Sequence, residues 1–143
     1  MRVDMSENIS WIFQKGSWFL HILLVVLLKL TIYQFSSENV SWQLSILFYN
    51  LITFYFFHWK VGDPFSQDFY NHTVWEQIVE QSDDALQVRF LALYPALLFV
   101  IVNKLVSWNY GILFVYFLSL LMVTIPKLSF MHMKRICGIR SYN

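Results

Sequence analysis

Residues 90–126 read FLALYPALLFVIVNKLVSWNYGILFVYFLSLLMVTIP, and Lys104 is their single charge. A helix that packs on a soluble core keeps one apolar stripe and a polar face, whereas this stretch is apolar all round. A bilayer core of ~30 Å takes about 20 helical residues at ~1.5 Å each. The stretch is roughly twice that long and is interrupted around Trp108 and Asn109. It therefore predicts two membrane spans, about 90–107 and 110–128, joined by a short turn.

The same reading extends to the first half of the chain. Between Ser17 and Trp59 the only charges are Lys29 and Glu38. The polar turn Ser36-Ser37-Glu38-Asn39 divides this block into spans at about 17–35 and 40–59. Trp18 to Leu28 has the length of a signal-peptide core, but Lys29 and a further apolar turn follow it instead of a small-residue cleavage site. It reads as an uncleaved first membrane helix. Over all 143 residues, 57% are hydrophobic and 13% charged, with mean hydropathy +0.50. A soluble domain carries about 25% charge. Composition thus excludes a soluble domain, a disordered chain and a nucleic-acid binder relying on net basicity, since the net charge is +1.

The expected architecture is all-α: a single polytopic membrane domain over 1–143, its four transmembrane helices arranged as two helical hairpins. Tails 1–16 and 129–143 and a polar loop 60–89 lie outside the spans. The loop opens on the turn signal Gly62-Asp63-Pro64. Within it, Val74–Val88 has the spacing of a short amphipathic helix near the membrane surface. Arg2, Lys15, Lys60, Arg89, Lys127, Lys134, Arg135 and Arg140 fall on the side shared by the tails and the central loop, and the two opposite turns hold no Lys or Arg. The positive-inside rule then places both termini in the cytosol.

Lys29 and Lys104 lie inside spans, each near the far end of its helix. Their long stems can carry the ammonium groups to the interface. An ion pathway would need acidic partners, and no Asp or Glu lies deep in a span. Pro95, expected near the start of the third span, and Pro126, near the end of the fourth, sit where a missing N–H costs least.

Catalytic chemistry finds no constellation here. His21, His58, His72 and His132 form no metal-binding pattern with each other or with the one cysteine, Cys137, and no phosphate loop or nucleophile elbow exists. Cys137, in a basic tail, reads as an unreactive thiol or a palmitoylation site. His72 and Glu76 are spaced to share a helix face, and Glu80, Asp83 and Asp84 read as a wet face or a docking surface for a basic partner. The expectation is a protein that is not an enzyme, with no metal and no cofactor. It would work through membrane lipids and a larger protein partner.

Several separated strings resemble one family. Phe57-His58-Trp59-Lys60-Val61-Gly62-Asp63-Pro64-Phe65 resembles the His and Gly-x-Pro-Phe element that ends the second span in the ORM/ORMDL family. Trp75-Glu76-Gln77 resembles its Trp-Glu-Gln. Phe90-Leu91, Pro95, Ile125-Pro126-Lys127-Leu128, His132, Arg135-Ile136 and Gly138-Ile139 continue in register, with Gly16, Trp18, Trp42 and Asn50. The family's uncharged stretch after Trp-Glu-Gln is replaced here by Glu80-Gln81-Ser82-Asp83-Asp84-Ala85.

The resemblance implies an endoplasmic-reticulum membrane protein, cytosolic at both ends. It would bind the large subunits of serine palmitoyltransferase and inhibit the enzyme when ceramide is abundant, serving sphingolipid homeostasis. It also implies that Asn8 contacts the ceramide head group, with Phe56 as a second candidate at the lipid site. The family-motif residues His58, Gly62, Pro64, Phe65, Trp75, Glu76, Pro126, Lys127, His132 and Arg135 would form the interface. From the residues alone, Asn8 reads as a cap on the first helix, since Ser6-Glu7-Asn8 precedes Trp11 at cap-like spacing. The alternative function is an endoplasmic-reticulum scaffold or folding factor for other clients, such as calcium-handling proteins, with inhibition weakened by the acidic loop.

Overall fold

The computed structural model describes residues 5–82 and 85–134. Arg2, Asp83, Asp84, Arg135, Ile136, Cys137, Gly138, Ile139 and Arg140 lie outside the described residues. The described chain is helical, and a lone bridge between Val61 and Thr73 is its only strand-like pairing. The helices are α1 (Glu7–Ser10), which runs on as a 3-10 turn over Trp11–Phe13, α2 (Ser17–Tyr33), α3 (Glu38–Phe54), which ends in a π-helical turn over Tyr55–Trp59, α4 (Val74–Ser82), α5 (Leu86–Leu105) and α6 (Tyr110–Thr124). A 3-10 turn over Ile125–Lys127 prolongs α6, and another follows at Ser129–Met131.

Three of these helices are long and apolar enough to cross a membrane: Glu38–Trp59, Leu86–Leu105 and Tyr110–Lys127. A fourth is reached when Glu7–Phe13 and Ser17–Tyr33, bent by 86° at their junction, are taken together. The bend is made at Gly16, whose φ of 86° lies in the left-handed region that costs glycine nothing. The amphipathic α1 consequently lies across the end of the bundle while α2 runs along it.

Helix α3 is the centre of the bundle, with α2 and α6 packed along it and α5 touching it more lightly. Its buried face carries Ser41, Gln43, Ser45, Asn50 and Thr53 beside Ile46, Leu47 and Tyr49. Polar groups in a membrane core must find partners, and small or amide side chains supply them between helices. Asn50 Nδ2 donates to Ser119 Oγ at 3.1 Å. Gln43 bonds both sides of the α5–α6 turn: its Nε2 donates to the Ser107 carbonyl (2.9 Å) and its Oε1 accepts from the Asn109 N–H (3.2 Å). Asn109 caps α6 in turn. The outward residues of α2, α5 and α6 are large, apolar and exposed, as suits contact with lipid.

Lys29 reaches across to the start of α3. Its Nζ lies 3.0 Å from Glu38 Oε1, at the start of α3, and 4.5 Å from the centre of the Tyr33 ring. Lys104 lies exposed in the last turn of α5, where a cation suits the helix dipole.

Two expectations are corrected. The amphipathic helix foreseen over Val74–Val88 ends at Ser82, and α5 starts at Leu86 instead of Phe90, because nothing in Leu86–Arg89 breaks a helix. Pro95 therefore lies well inside α5 rather than near a start. The first half of α4 is packed inside the protein. Val74, Trp75, Glu76, Gln77 and Ile78 are all buried, because Ile9 and Ile12 of the N-terminal segment, Phe57, Val88 and Leu91 close over them.

Candidate functional site

The polar end of the bundle is one knot of side chains, and α1 is its lid. Ser6 caps α1, its Oγ accepting from the Asn8 N–H. The N-cap of α1 is thus Ser6 and not Asn8, whose side chain turns to α4. Asn8 Nδ2 donates to Gln77 Oε1 at 2.9 Å. The Asn8 carbonyl accepts from Trp11 Nε1 at 3.0 Å, and the Trp11 ring meets Phe56 edge-on at 6.2 Å between centres. Asn8 and Phe56, the two candidate lipid contacts, thus share Trp11 as a neighbour. Ser6 adds two ties of its own, its N–H to Gln81 Oε1 (2.8 Å) and its hydroxyl to the Asp63 carboxylate.

The Trp75-Glu76-Gln77 motif is buried, and each residue has a separate task. Thr73-Val74-Trp75-Glu76 is a capping box. Glu76 Oε2 accepts from the Thr73 N–H (2.7 Å), and the Glu76 N–H donates to Thr73 Oγ1 (3.3 Å). The other Glu76 oxygen accepts from the Met133 N–H at 2.9 Å and so pins the segment after α6 to α4. Gln77 spends both amide hydrogens on backbone carbonyls, those of Gly62 (3.3 Å) and His72 (3.2 Å). Gly62 has φ 102°, and its own N–H donates to the His72 carbonyl. Trp75 packs against His58, with ring centres 6.0 Å apart.

The Ile125-Pro126-Lys127 turn completes the knot. Pro95 has no N–H, so the Leu91 carbonyl one turn earlier lacks its helical donor. Lys127 Nζ supplies the missing hydrogen bond at 2.8 Å, while lying 5.4 Å from the centre of the Trp75 ring. Pro126 opens the 3-10 turn that aims Lys127 there. Four separated motif residues, Trp75, Leu91, Pro95 and Lys127, form one physical unit.

Other expected pairings change. His72 lies outside α4, and its Nε2 is 3.0 Å from Glu80 Oε1, an atom it shares with His132 Nε2, also at 3.0 Å. The foreseen His72–Glu76 face does not form, because Glu76 is occupied by the capping box. Glu80 is exposed and meets both imidazoles at the surface, while Asp83 and Asp84 lie outside the described residues. Pro64 and Phe65 stand exposed at the tip of the central loop, with the Phe65 N–H held by Asp63 Oδ1. Arg135, the last interface candidate, lies outside the described residues.

Sequence reasoning missed Gln77 as a hub and Thr73 as a cap. The second was readable from the Thr-x-x-Glu spacing; the first leaves no local signal. Chemically the knot offers amides, a shared carboxylate and a half-buried ammonium. Among the described residues, no group of three or more His, Cys, Asp or Glu is arranged to hold a metal.

These features define a class: a small all-helical membrane protein whose polar residues are used to clasp its own segments together at one end of the bundle. Comparison with known proteins makes the class specific. The ORMDL family model matches residues 6–135, and the chain belongs to that family. It is 34% identical over 138 residues to Protein ORM2 of Saccharomyces cerevisiae, covering 90% of this chain and 62% of that protein. It is 28% identical over 145 residues to ORM1-like protein 2 of Homo sapiens, covering 97% and 95% respectively. A Schizosaccharomyces pombe protein is 33% identical over 138 residues, covering 93% of this chain and 74% of its own length.

Proposed function

We propose that the chain is a non-enzymatic regulatory subunit that binds serine palmitoyltransferase and inhibits it in response to ceramide. It would act in the endoplasmic-reticulum membrane, crossing it as two hairpins with both termini in the cytosol. Family membership over residues 6–135 supports this reading. The observation that carries it is the placement of Asn8, held half-buried on a rim beside Trp11 and Phe56. An amide offers both a donor and an acceptor to the amide and hydroxyls of a ceramide head, while the adjoining aromatic rings and apolar helices suit its tails.

Copurification with the enzyme's large subunits followed by ceramide titration tests the reading. Association with dose-dependent inhibition is expected, and Asn8→Ala should associate yet lose at least tenfold in ceramide sensitivity. Failure to associate ends the proposal and favours a scaffold for other clients. A ceramide response equal to the parent's in Asn8→Ala ends the Asn8 assignment.

A further inference from the structure

We infer that Gln77 is a positioning residue that sets which face of the Asn8 amide a ligand meets, and thereby selects for lipids that can donate a hydrogen bond. This rests on the reading of Asn8 as the lipid contact. A backbone C=O only accepts, so two of them, from Gly62 and His72, fix the Gln77 amide with its NH2 toward them. Gln77 Oε1 is then left facing α1 as a pure acceptor. Gln77 is wholly buried, so no water offers its amide an alternative.

The orientation passes on by one step. Facing an acceptor, Asn8 must present an N–H, and it does so at 2.9 Å. Its Oδ1 consequently points away from Gln77 and accepts no hydrogen bond among the described residues. Asn8 is only half-buried, so the rim offers this free acceptor together with the second Nδ2 hydrogen. A hydroxyl or amide N–H satisfies the acceptor. An ether or ester oxygen at the same place sets two acceptors against each other, which costs affinity. The proton pattern on two inner carbonyls is thus translated into a preference for a donor on the ligand.

The test compares N-acylsphingosine with its N-methyl-1,3-di-O-methyl ether, which keeps the tails and loses both hydroxyl donors and the amide N–H. The readout is inhibition of the copurified serine palmitoyltransferase complex. In the parent, the ether should need at least tenfold more lipid for half-maximal inhibition. Gln77→Met keeps the volume and removes the fixed acceptor, leaving the Asn8 amide able to flip. Its half-maximal ceramide concentration should rise at least fivefold, and the ether-to-ceramide ratio of half-maximal concentrations should fall from at least ten to below about three. A loss of stability alone would lower the amount of complex without changing that ratio.

Should Gln77→Met fail to assemble, Asn8→Asp decides, because Gln77 keeps its two bonds to the Gly62 and His72 carbonyls. A carboxylate is a competent outward acceptor but has no N–H for Gln77 Oε1, so its ceramide response should be lost. Parent-like ceramide response and selectivity in Gln77→Met, or a full response in Asn8→Asp, overturns the inference. If Asn8→Ala remains insensitive in that case, the lipid assignment of Asn8 stands without Gln77. If Asn8→Ala responds like the parent, both fall.

Discussion

The link between Pro95 and Lys127 gives a sharp test because one partner creates the need that the other meets. Lys127→Met removes the donor 2.8 Å from the Leu91 carbonyl and the cation beside Trp75. A hydrogen bond from a charged group is worth about 1.5–3 kcal/mol. A cation–π contact adds about 0.5–2 kcal/mol. Freeing a half-buried ammonium from its desolvation penalty offsets part of this, leaving a net loss of about 1–2 kcal/mol. Pro95→Ala restores an N–H one turn after Leu91, so the carbonyl regains its helical donor and no longer depends on Lys127. In the Pro95→Ala background, Lys127→Met should then cost at least about 1 kcal/mol less, which is roughly a fivefold smaller change in the folding equilibrium. The assay is reversible unfolding in mixed micelles, followed by tryptophan fluorescence, for the two single variants and the double variant. Losses that add to within about 0.5 kcal/mol would refute the coupling and with it the account of why the two residues stand together.

Two further outcomes are expected. Gln43→Leu removes two hydrogen bonds of about 1 kcal/mol each, to the Ser107 carbonyl and from the Asn109 N–H at the α5–α6 turn; the bundle should lose about 2 kcal/mol, and exchange of the Asn109 amide should quicken about 30-fold, read by hydrogen-exchange mass spectrometry. For orientation, a membrane-impermeant maleimide should label Cys137 in sealed microsomes whose cytosolic face is outward, and should fail to label Ser36→Cys in a Cys137→Ser chain until detergent is added; the reverse pattern refutes the positive-inside assignment.

The spans were legible because the signal is bulk apolarity, to which every residue of a window contributes. Their ends were less so. Leu86–Arg89 joins α5 although Arg89 looks like loop, since a helix continues until something stops it. What the sequence could not display is convergence. Trp75, Leu91, Pro95 and Lys127 are dispersed over 53 positions, and no periodicity predicts that a missing N–H at Pro95 will be answered by an ammonium on another helix. Family resemblance marked most of these residues without saying why they belong together. For Gln77 the local pattern held no sign of burial, because Asn8, the partner it meets from the N-terminal segment, is 69 positions away. Glu80 was read by its charge, whereas its geometry depends on two histidines brought in from either side.

The burial of Ile9 and Ile12, the latter 2% exposed, changes what a deletion at the N-terminus removes. These side chains belong to the same packed cluster as Trp75, Ile78 and Leu91. Cutting the first dozen residues therefore takes out part of the interior at that end and strips the cover from α4, instead of trimming a regulatory tail. Misassembly and lost regulation would look alike in such a truncation. Single-atom changes at Asn8, which leave Ile9 and Ile12 seated, keep the two apart.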